Sequence, residues 1–93
     1  MEKLQLELYT RPTCLDCQEA KAFLENNNIS YINYDLTQQP SKEKELIKLS
    51  GARMVPTLVF KNKSLFGLAS KPTVMIGFEQ NIDEVKRLLK INN

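Results

Sequence analysis

The alternation of apolar and polar positions predicts four β-strands. Near the start, Leu4, Leu6 and Leu8 alternate with polar residues, which is the two-residue period of a half-buried strand. The later strand segments are short, rich in β-branched and aromatic residues, and bounded by turn-forming residues. The four predicted strands cover residues 4–9, 29–36, 56–60 and 73–76.

Two segments with apolar residues at helical spacing follow the first two strands. Thr13 and Asp16 fit a capping box at the start of the first helix, which ends at the turn-forming asparagines 26–28. Its apolar stripe comprises Cys17, Ala20, Phe23 and Leu24. The second helix has Pro40 in its first turn and Gly51 as its C-terminal stop. Its apolar side comprises Leu46, Ile47 and Leu49.

The third helix opens with a second capping box, formed by Asn81 and Glu84. Its apolar face comprises Ile82, Val85, Leu88 and Leu89. The element order is therefore β-α-β-α-β-β-α. We expect a right-handed parallel crossover first and an antiparallel hairpin last. This predicts one α/β domain over residues 1–93, a four-stranded mixed sheet with helices on both faces.

Composition narrows the range of functions. The 93 residues carry 13 basic and 11 acidic side chains, and a net charge of +2 is too balanced for a nucleic-acid platform. No run approaches the ~20 apolar residues of a membrane span, and the first residues resemble neither a secretory signal nor an anchor. The expected compartment is the cytoplasm. There, a close cysteine pair is more typical of catalysis or metal binding than of a structural disulfide.

The only two cysteines, Cys14 and Cys17, lie between the first strand and the first helix. A structural zinc site needs four ligands, and the chain has no histidine and no further cysteine. A structural disulfide would close a very short loop and so remove little chain entropy. Both interpretations are disfavoured, and no metal site is expected. Redox chemistry accounts for the spacing best.

The position of the pair predicts different roles for its two thiols. At the helix start, Cys14 would face unpaired backbone N–H groups, which stabilise a thiolate. Cys17, one turn further on, belongs to the apolar stripe, so Cys14 is expected to attack and Cys17 to resolve. Arg11 either stabilises the thiolate, attracts an anionic substrate or is a solvated loop residue. Asp16 opposes a thiolate but favours the helix start, and a capping role is expected.

A proline marks the same edge of the predicted sheet. Pro56 stands at the first residue of the third strand, where its missing N–H is tolerated. If this strand runs antiparallel to the first, its start lies beside the loop that carries the cysteines.

Together, the C-x-x-C motif, Val55-Pro56-Thr57 and Gly77 resemble the glutaredoxins and their thioredoxin-fold relatives. The resemblance implies a thioredoxin-like fold, Cys14 as nucleophile, Cys17 as resolving thiol and a cis-Pro56 facing them. It also implies that Arg11 contacts a glutathione carboxylate and Val55 the glutathione cysteinyl backbone. No bound cofactor is implied.

The sequence departs from the glutathione-binding pattern at Gly77-Phe78, where a second glycine and an acidic pair would be expected. Phe78 is expected either to crowd the glutamyl end of glutathione or to cap the core. This part resembles the redoxins that serve ribonucleotide reductase and are recharged by thioredoxin reductase, although the chain has no tryptophan. The electron donor is therefore either glutathione or thioredoxin reductase. A further departure is the long connection between the last two strands, whose Leu65, Phe66 and Leu68 would extend the hairpin or dock a partner.

The predicted function is dithiol–disulfide exchange on protein or small-molecule disulfides, by a monomer that binds neither nucleic acid nor membrane. A redox-sensing regulator and a non-catalytic thioredoxin-fold binding module remain as alternatives. The second cysteine disfavours the iron–sulfur carrier role of single-cysteine glutaredoxins.

Overall fold

The computed structural model describes residues 3–63 and 71–91, and its elements follow the predicted order. A short 3-10 turn, Glu79–Asn81, precedes the last helix. The strands are β1 (Lys3–Thr10), β2 (Ile32–Asp35), β3 (Thr57–Lys63) and β4 (Thr73–Ile76), and the helices are α1 (Leu15–Asn26), α2 (Lys42–Ser50) and α3 (Ile82–Leu89).

The four strands form one mixed sheet in the order β2-β1-β3-β4. β1 pairs in parallel with β2 and antiparallel with β3, and β3 pairs antiparallel with β4. Tyr9 near the end of β1 is therefore opposite Thr57 at the start of β3. This register confirms that the loop after β1 and the loop before β3 meet at one edge of the sheet.

Helices cover both faces of the sheet, as predicted. On one face, Leu8 and Leu58 pack with Leu24 of α1 and Val85 of α3. On the other face, a smaller buried cluster places Leu46 of α2 against the sheet. The remaining members of this second cluster are Tyr9, Leu36 and Val59. The sheet is thus the middle of three layers, an α/β thioredoxin-like fold.

β1 is buried on both faces, which its alternating sequence did not predict. Glu7 and Tyr9 face α2 and are buried, although they occupy the polar positions of the alternation. The carboxylate of Glu7 is satisfied by the Lys61 ammonium at 3.2 Å and by the Gln5 amide at 3.0 Å. A buried charge needs such partners, and neighbouring strand positions supply them.

Several predicted boundaries shift for local reasons. β2 begins at Ile32 rather than at residue 29, because the Ile29 N–H closes the end of α1 by donating to Leu24 O. α2 begins at Lys42, so Pro40 lies in the preceding turn rather than inside the helix. Gly51 ends α2 at φ 78°, a left-handed conformation that favours glycine. Ile47, predicted on the apolar side of α2, is exposed.

The connection between β3 and β4 falls mostly outside the described residues. β3 continues past the predicted residue 60 to Lys63, because its last residues pair with the start of β1. Leu65, Phe66 and Leu68, predicted to extend the hairpin or dock a partner, lie outside the described residues. Within residues 3–63 and 71–91, no helix is long and apolar enough to cross a membrane.

Candidate active site

Cys14 is the N-cap residue of α1. Its backbone is extended, with φ −95° and ψ 113°, and its Sγ accepts the backbone N–H of Cys17 at 3.0 Å. A helix start offers unpaired N–H groups, and here the sulfur satisfies one of them. This corrects the predicted capping box, because the helix begins one residue after the expected Thr13 cap. The capping atom is the candidate nucleophile itself.

Cys17 lies one turn into α1 and is completely buried. Burial, followed by the hydrogen bond with Cys14, raises the pKa of the Cys17 thiol to about 12. Cys14 is only partly buried, and both cysteines are free thiols in this structure. The helix therefore presents one accessible sulfur and keeps the other as a buried neutral thiol, the arrangement predicted for an attacking and a resolving cysteine.

This asymmetry predicts selective alkylation of Cys14. Because burial raises the pKa of Cys17, its thiol stays protonated and unreactive at neutral pH. A raised pKa means that the neutral thiol persists to high pH, so labelling of Cys17 should rise only in strongly alkaline solution. Iodoacetamide labelling of the reduced protein, followed by peptide mapping, should give one label on Cys14 at neutral pH.

The control for this experiment is the same protein in denaturant, where both cysteines should react at similar rates. Equal labelling of the two thiols in the native protein at neutral pH would contradict the asymmetric site.

The loop before β3 contacts the cysteine directly. The Val55–Pro56 peptide bond is cis, as the resemblance implied, and the Cys14 thiol donates to Val55 O at 3.7 Å. The Gly77 N–H in turn donates to Pro56 O at 2.7 Å. Gly77 has φ 92°, a conformation that side-chain-bearing residues rarely adopt. The structure therefore brings Cys14, Val55, Pro56 and Gly77 together at the predicted sheet edge.

Asp16 has a role that sequence reasoning missed. Its carboxylate accepts the backbone N–H of Phe78 at 2.8 Å and that of Glu79 at 3.2 Å. The expected capping role is therefore wrong, because the carboxylate bridges the cysteine turn to the turn after β4. The predicted Asn81–Glu84 box is also replaced, since the Asn81 amide donates to Ile76 O and Gly77 O. The side chains of Asp16 and Asn81 therefore both bind the turn that follows β4.

Removing the Asp16 bridge should destabilise the protein. Asp16→Ala leaves the Phe78 and Glu79 N–H groups without their acceptor, which is expected to cost about 1–3 kcal/mol of unfolding free energy. Urea unfolding followed by circular dichroism measures this difference. The matched control is Glu19→Ala, an exposed acidic residue one turn further along α1, which should change stability little. Equal effects of the two substitutions would contradict the bridge.

The Phe78 side chain belongs to the hydrophobic core. It is 4% exposed, and its ring packs against Phe23 with the centroids 5.3 Å apart. Of the two roles expected from the sequence, capping the core is therefore the one observed. The expectation that its ring crowds a ligand is wrong. What Phe78 offers towards the site is its backbone N–H, which Asp16 occupies.

Arg11 connects the cysteine loop to α2. Its guanidinium forms an ion pair with Glu43 at 2.7 Å and donates to Arg53 O at 3.1 Å. The side chain is 32% exposed, as expected of a loop arginine, and it also makes these two specific contacts. The guanidinium holds α2 and the loop before Val55 in place beside the cysteines.

A groove of about 630 Å³ runs between the first turn of α1, the loop before Pro56 and the turn at Gly77. Two of its lining residues are large apolar side chains left exposed, Leu15 at 83% and Met54 at 61%. Neither was singled out from the sequence, although an apolar residue directly after Cys14 was a usable signal. Exposed apolar side chains beside an accessible sulfur are suited to contact a partner or ligand.

The charged residues that line this groove are all acidic: Asp16, Glu19 and Glu79. One carboxylate oxygen from each lies within 4.8 Å of the others. We refer to these three residues as the acidic wall. Three close carboxylates are the one group in residues 3–63 and 71–91 with a spacing that could surround a cation. The Asp16 oxygens also accept two backbone N–H groups.

The site combines an accessible cysteine that caps a helix, a buried cysteine one turn later and a cis-proline loop beside both, at one edge of the four-stranded sheet. This combination defines a thiol redox protein of the thioredoxin fold. A family model described as Glutaredoxin matches residues 6–65. Glutaredoxin 3 of Escherichia coli strain K12 is 32% identical over 62 residues, which cover 67% of this chain and 75% of that protein. The chain belongs to the glutaredoxin family.

Solved structures agree with this assignment at the level of the fold. A mutant of the thioredoxin-like protein BC3987 superposes with a TM-score of 0.72 at 27% identity, covering 95% of this chain and 97% of that one. A buckwheat glutaredoxin in complex with glutathione superposes with a TM-score of 0.63 at 18% identity. That match covers 95% of this chain and 73% of the buckwheat chain.

Proposed function

We propose that the protein is a dithiol oxidoreductase that reduces disulfides in proteins or small molecules through Cys14 and Cys17. The observation that carries this proposal is the asymmetry of the pair. Cys14 is accessible and its sulfur accepts a helix N–H, whereas Cys17 is buried directly behind it. The thiolate is the nucleophilic form of cysteine, and Cys14 is the sulfur of the pair that a substrate disulfide can reach. We also propose the cytoplasm as the site of action, because its thiols are kept reduced.

The first step forms a mixed disulfide. The Cys14 thiolate attacks one sulfur of the substrate disulfide, the substrate S–S bond breaks, and the other substrate sulfur leaves as a thiolate that takes up a proton. Val55 and Pro56 would border the new disulfide, since Val55 O contacts the Cys14 sulfur. The exposed Leu15 and Met54 would contact the substrate segments on either side of it.

In the second step, Cys17 loses its proton and attacks the Cys14 sulfur, which releases the second substrate thiolate and leaves a Cys14–Cys17 disulfide. The substrate gains two electrons and the pair loses two. The hydrogen bond and the charge of Cys14 both contribute to the raised pKa of Cys17. Both contributions end when Cys14 enters the mixed disulfide. Cys17 thus becomes easier to deprotonate at the step that needs its thiolate.

The reduced pair must then be regenerated by an external dithiol or by two thiols. We propose two donors, glutathione with its reductase or thioredoxin reductase, and the proposal does not depend on which is used. We also propose that Arg11, Val55 and Gly77 contact the donor, because Val55 O contacts the Cys14 sulfur and Gly77 binds the neighbouring Pro56. Phe78 would do so through its backbone alone, because its ring is buried.

The test is reduction of bis(2-hydroxyethyl) disulfide by the pure protein, followed by NADPH consumption. One assay contains glutathione and glutathione reductase, and the other contains thioredoxin reductase. Turnover in either assay that depends on the protein supports the proposal. Absence of turnover in both, together with no reduction by the chemically pre-reduced protein, would overturn it.

A further inference from the structure

The two anion-attracting features beside the cysteine motif are already bound to carboxylates of the chain itself. The Arg11 guanidinium pairs with Glu43 at 2.7 Å. The backbone N–H groups of Phe78 and Glu79, at the turn that closes the groove, donate to Asp16. A guanidinium and a pair of adjacent N–H groups are the features that would hold a substrate carboxylate here. To bind a substrate carboxylate, the Arg11 guanidinium would first have to release Glu43, and the two N–H groups would have to release Asp16.

The charged side chains that remain exposed at the groove are negative, whereas the two features above would attract anions. Glu19 and Glu79 are exposed members of the acidic wall. Apart from these two and Asp16, the residues that line the groove are uncharged. Arg53, the nearest basic residue along the chain, precedes Met54 but is not part of the lining. A substrate that enters the groove towards Cys14 therefore meets a negative potential, although the whole chain has a net charge of +2.

We infer that the groove beside Cys14 selects disulfides whose flanking groups are basic or neutral and disfavours anionic ones, with Glu19 and Glu79 as specificity-determining residues. This inference rests on the proposed disulfide reduction. It identifies the substrate class as a disulfide next to a Lys- or Arg-containing segment that can also cover Leu15 and Met54. Glutathione disulfide, which carries net negative charge, belongs to the disfavoured class.

Simple electrostatics sets the size of the expected effect. Each exposed carboxylate a few ångströms from a substrate charge changes the ratio of cationic to anionic substrate rates by about two- to fivefold, and the effect weakens as salt screens it. With two exposed carboxylates, the ratio of cationic to anionic substrate rates should be about tenfold or more at low ionic strength. At high salt the ratio should approach one.

The experiment uses chemically pre-reduced protein in single-turnover reactions, so that no electron donor is involved. The probes are three small disulfides: cystamine (cationic), bis(2-hydroxyethyl) disulfide (neutral) and dithiodipropionate (anionic). Each rate is divided by the rate of the same disulfide with free 2-mercaptoethanol, which removes differences in intrinsic reactivity. We expect the normalised rates to fall from cationic to neutral to anionic, and the differences to shrink as salt is added.

Two variants test the assigned residues. Glu19→Gln and Glu79→Gln should each lower the cationic-to-anionic ratio by about two- to fivefold. The matched control is Glu84→Gln, an equal charge change at an exposed residue of α3 outside the groove, which should leave the ratio unchanged. Equal normalised rates for the three disulfides, or a ratio that Glu84→Gln lowers as much, would overturn the inference alone. Failure to reduce any of them would overturn the proposed function as well.

Discussion

Replacing Cys14 by serine should reduce the rate of disulfide reduction by at least about two orders of magnitude, to the uncatalysed level. The cysteine thiolate is the nucleophile of disulfide exchange, and a serine hydroxyl stays protonated and unreactive at neutral pH. The fold should survive, because serine is among the favoured N-cap residues and its oxygen can accept the Cys17 N–H in place of sulfur. Loss of activity would therefore report on chemistry rather than on unfolding.

This prediction is checked by the NADPH-coupled assay together with a thermal melt. An unchanged melting temperature with lost turnover is the expected result. If Cys14→Ser retained a rate within about tenfold of the unmodified protein, the assignment of Cys14 as nucleophile would be wrong, and Cys17 would have to be reconsidered.

Replacing Cys17 by serine should have a different result, the accumulation of a mixed disulfide. Cys14 still attacks the substrate, but no second thiol lies behind it to release the product. Intact mass spectrometry after incubation with a small disulfide should show nearly every molecule carrying one half of it. The adduct should disappear when dithiothreitol is added.

A matched control separates lost chemistry from altered packing. Ala20 is also completely buried on the inner face of α1, so Ala20→Ser places a hydroxyl in the same layer while it leaves both thiols in place. This variant should turn over without accumulating an adduct, although the buried hydroxyl should lower its stability. Equal, mild effects of Cys14→Ser and Cys17→Ser would contradict the division of roles between the two cysteines.

Local patterns predicted most of the architecture. The element order, the parallel and antiparallel pairings and the coverage of both faces all follow from short segments whose periodicity differs between strand and helix. Boundaries were less accurate where another element competes for backbone groups. The Ile29 N–H is the clearest example, because it closes α1 instead of opening β2.

The sequence likewise predicted some features of the candidate site and missed others. The spacing of Cys14 and Cys17 placed one thiol at the helix start and the other on its inner face, because residues three apart in a helix differ in position by a single turn. The prediction that Pro56 lies at the same sheet edge as the cysteines followed from the antiparallel direction of β3 relative to β1. The exposed Leu15 and Met54 were missed, since sequence patterns identify buried apolar positions far better than exposed ones.

By itself, the sequence determined the elements, their order and the redox pair, since each of these depends on residues close together along the chain. Only the tertiary structure decided which partners the polar groups found. Asp16 accepts N–H groups from residues more than sixty positions away, Arg11 pairs with Glu43 on another helix, and Glu7 is buried beneath α2. Periodicity records which side of an element is apolar. It contains no information about which distant donor will meet a given carboxylate, because that choice depends on how the layers pack.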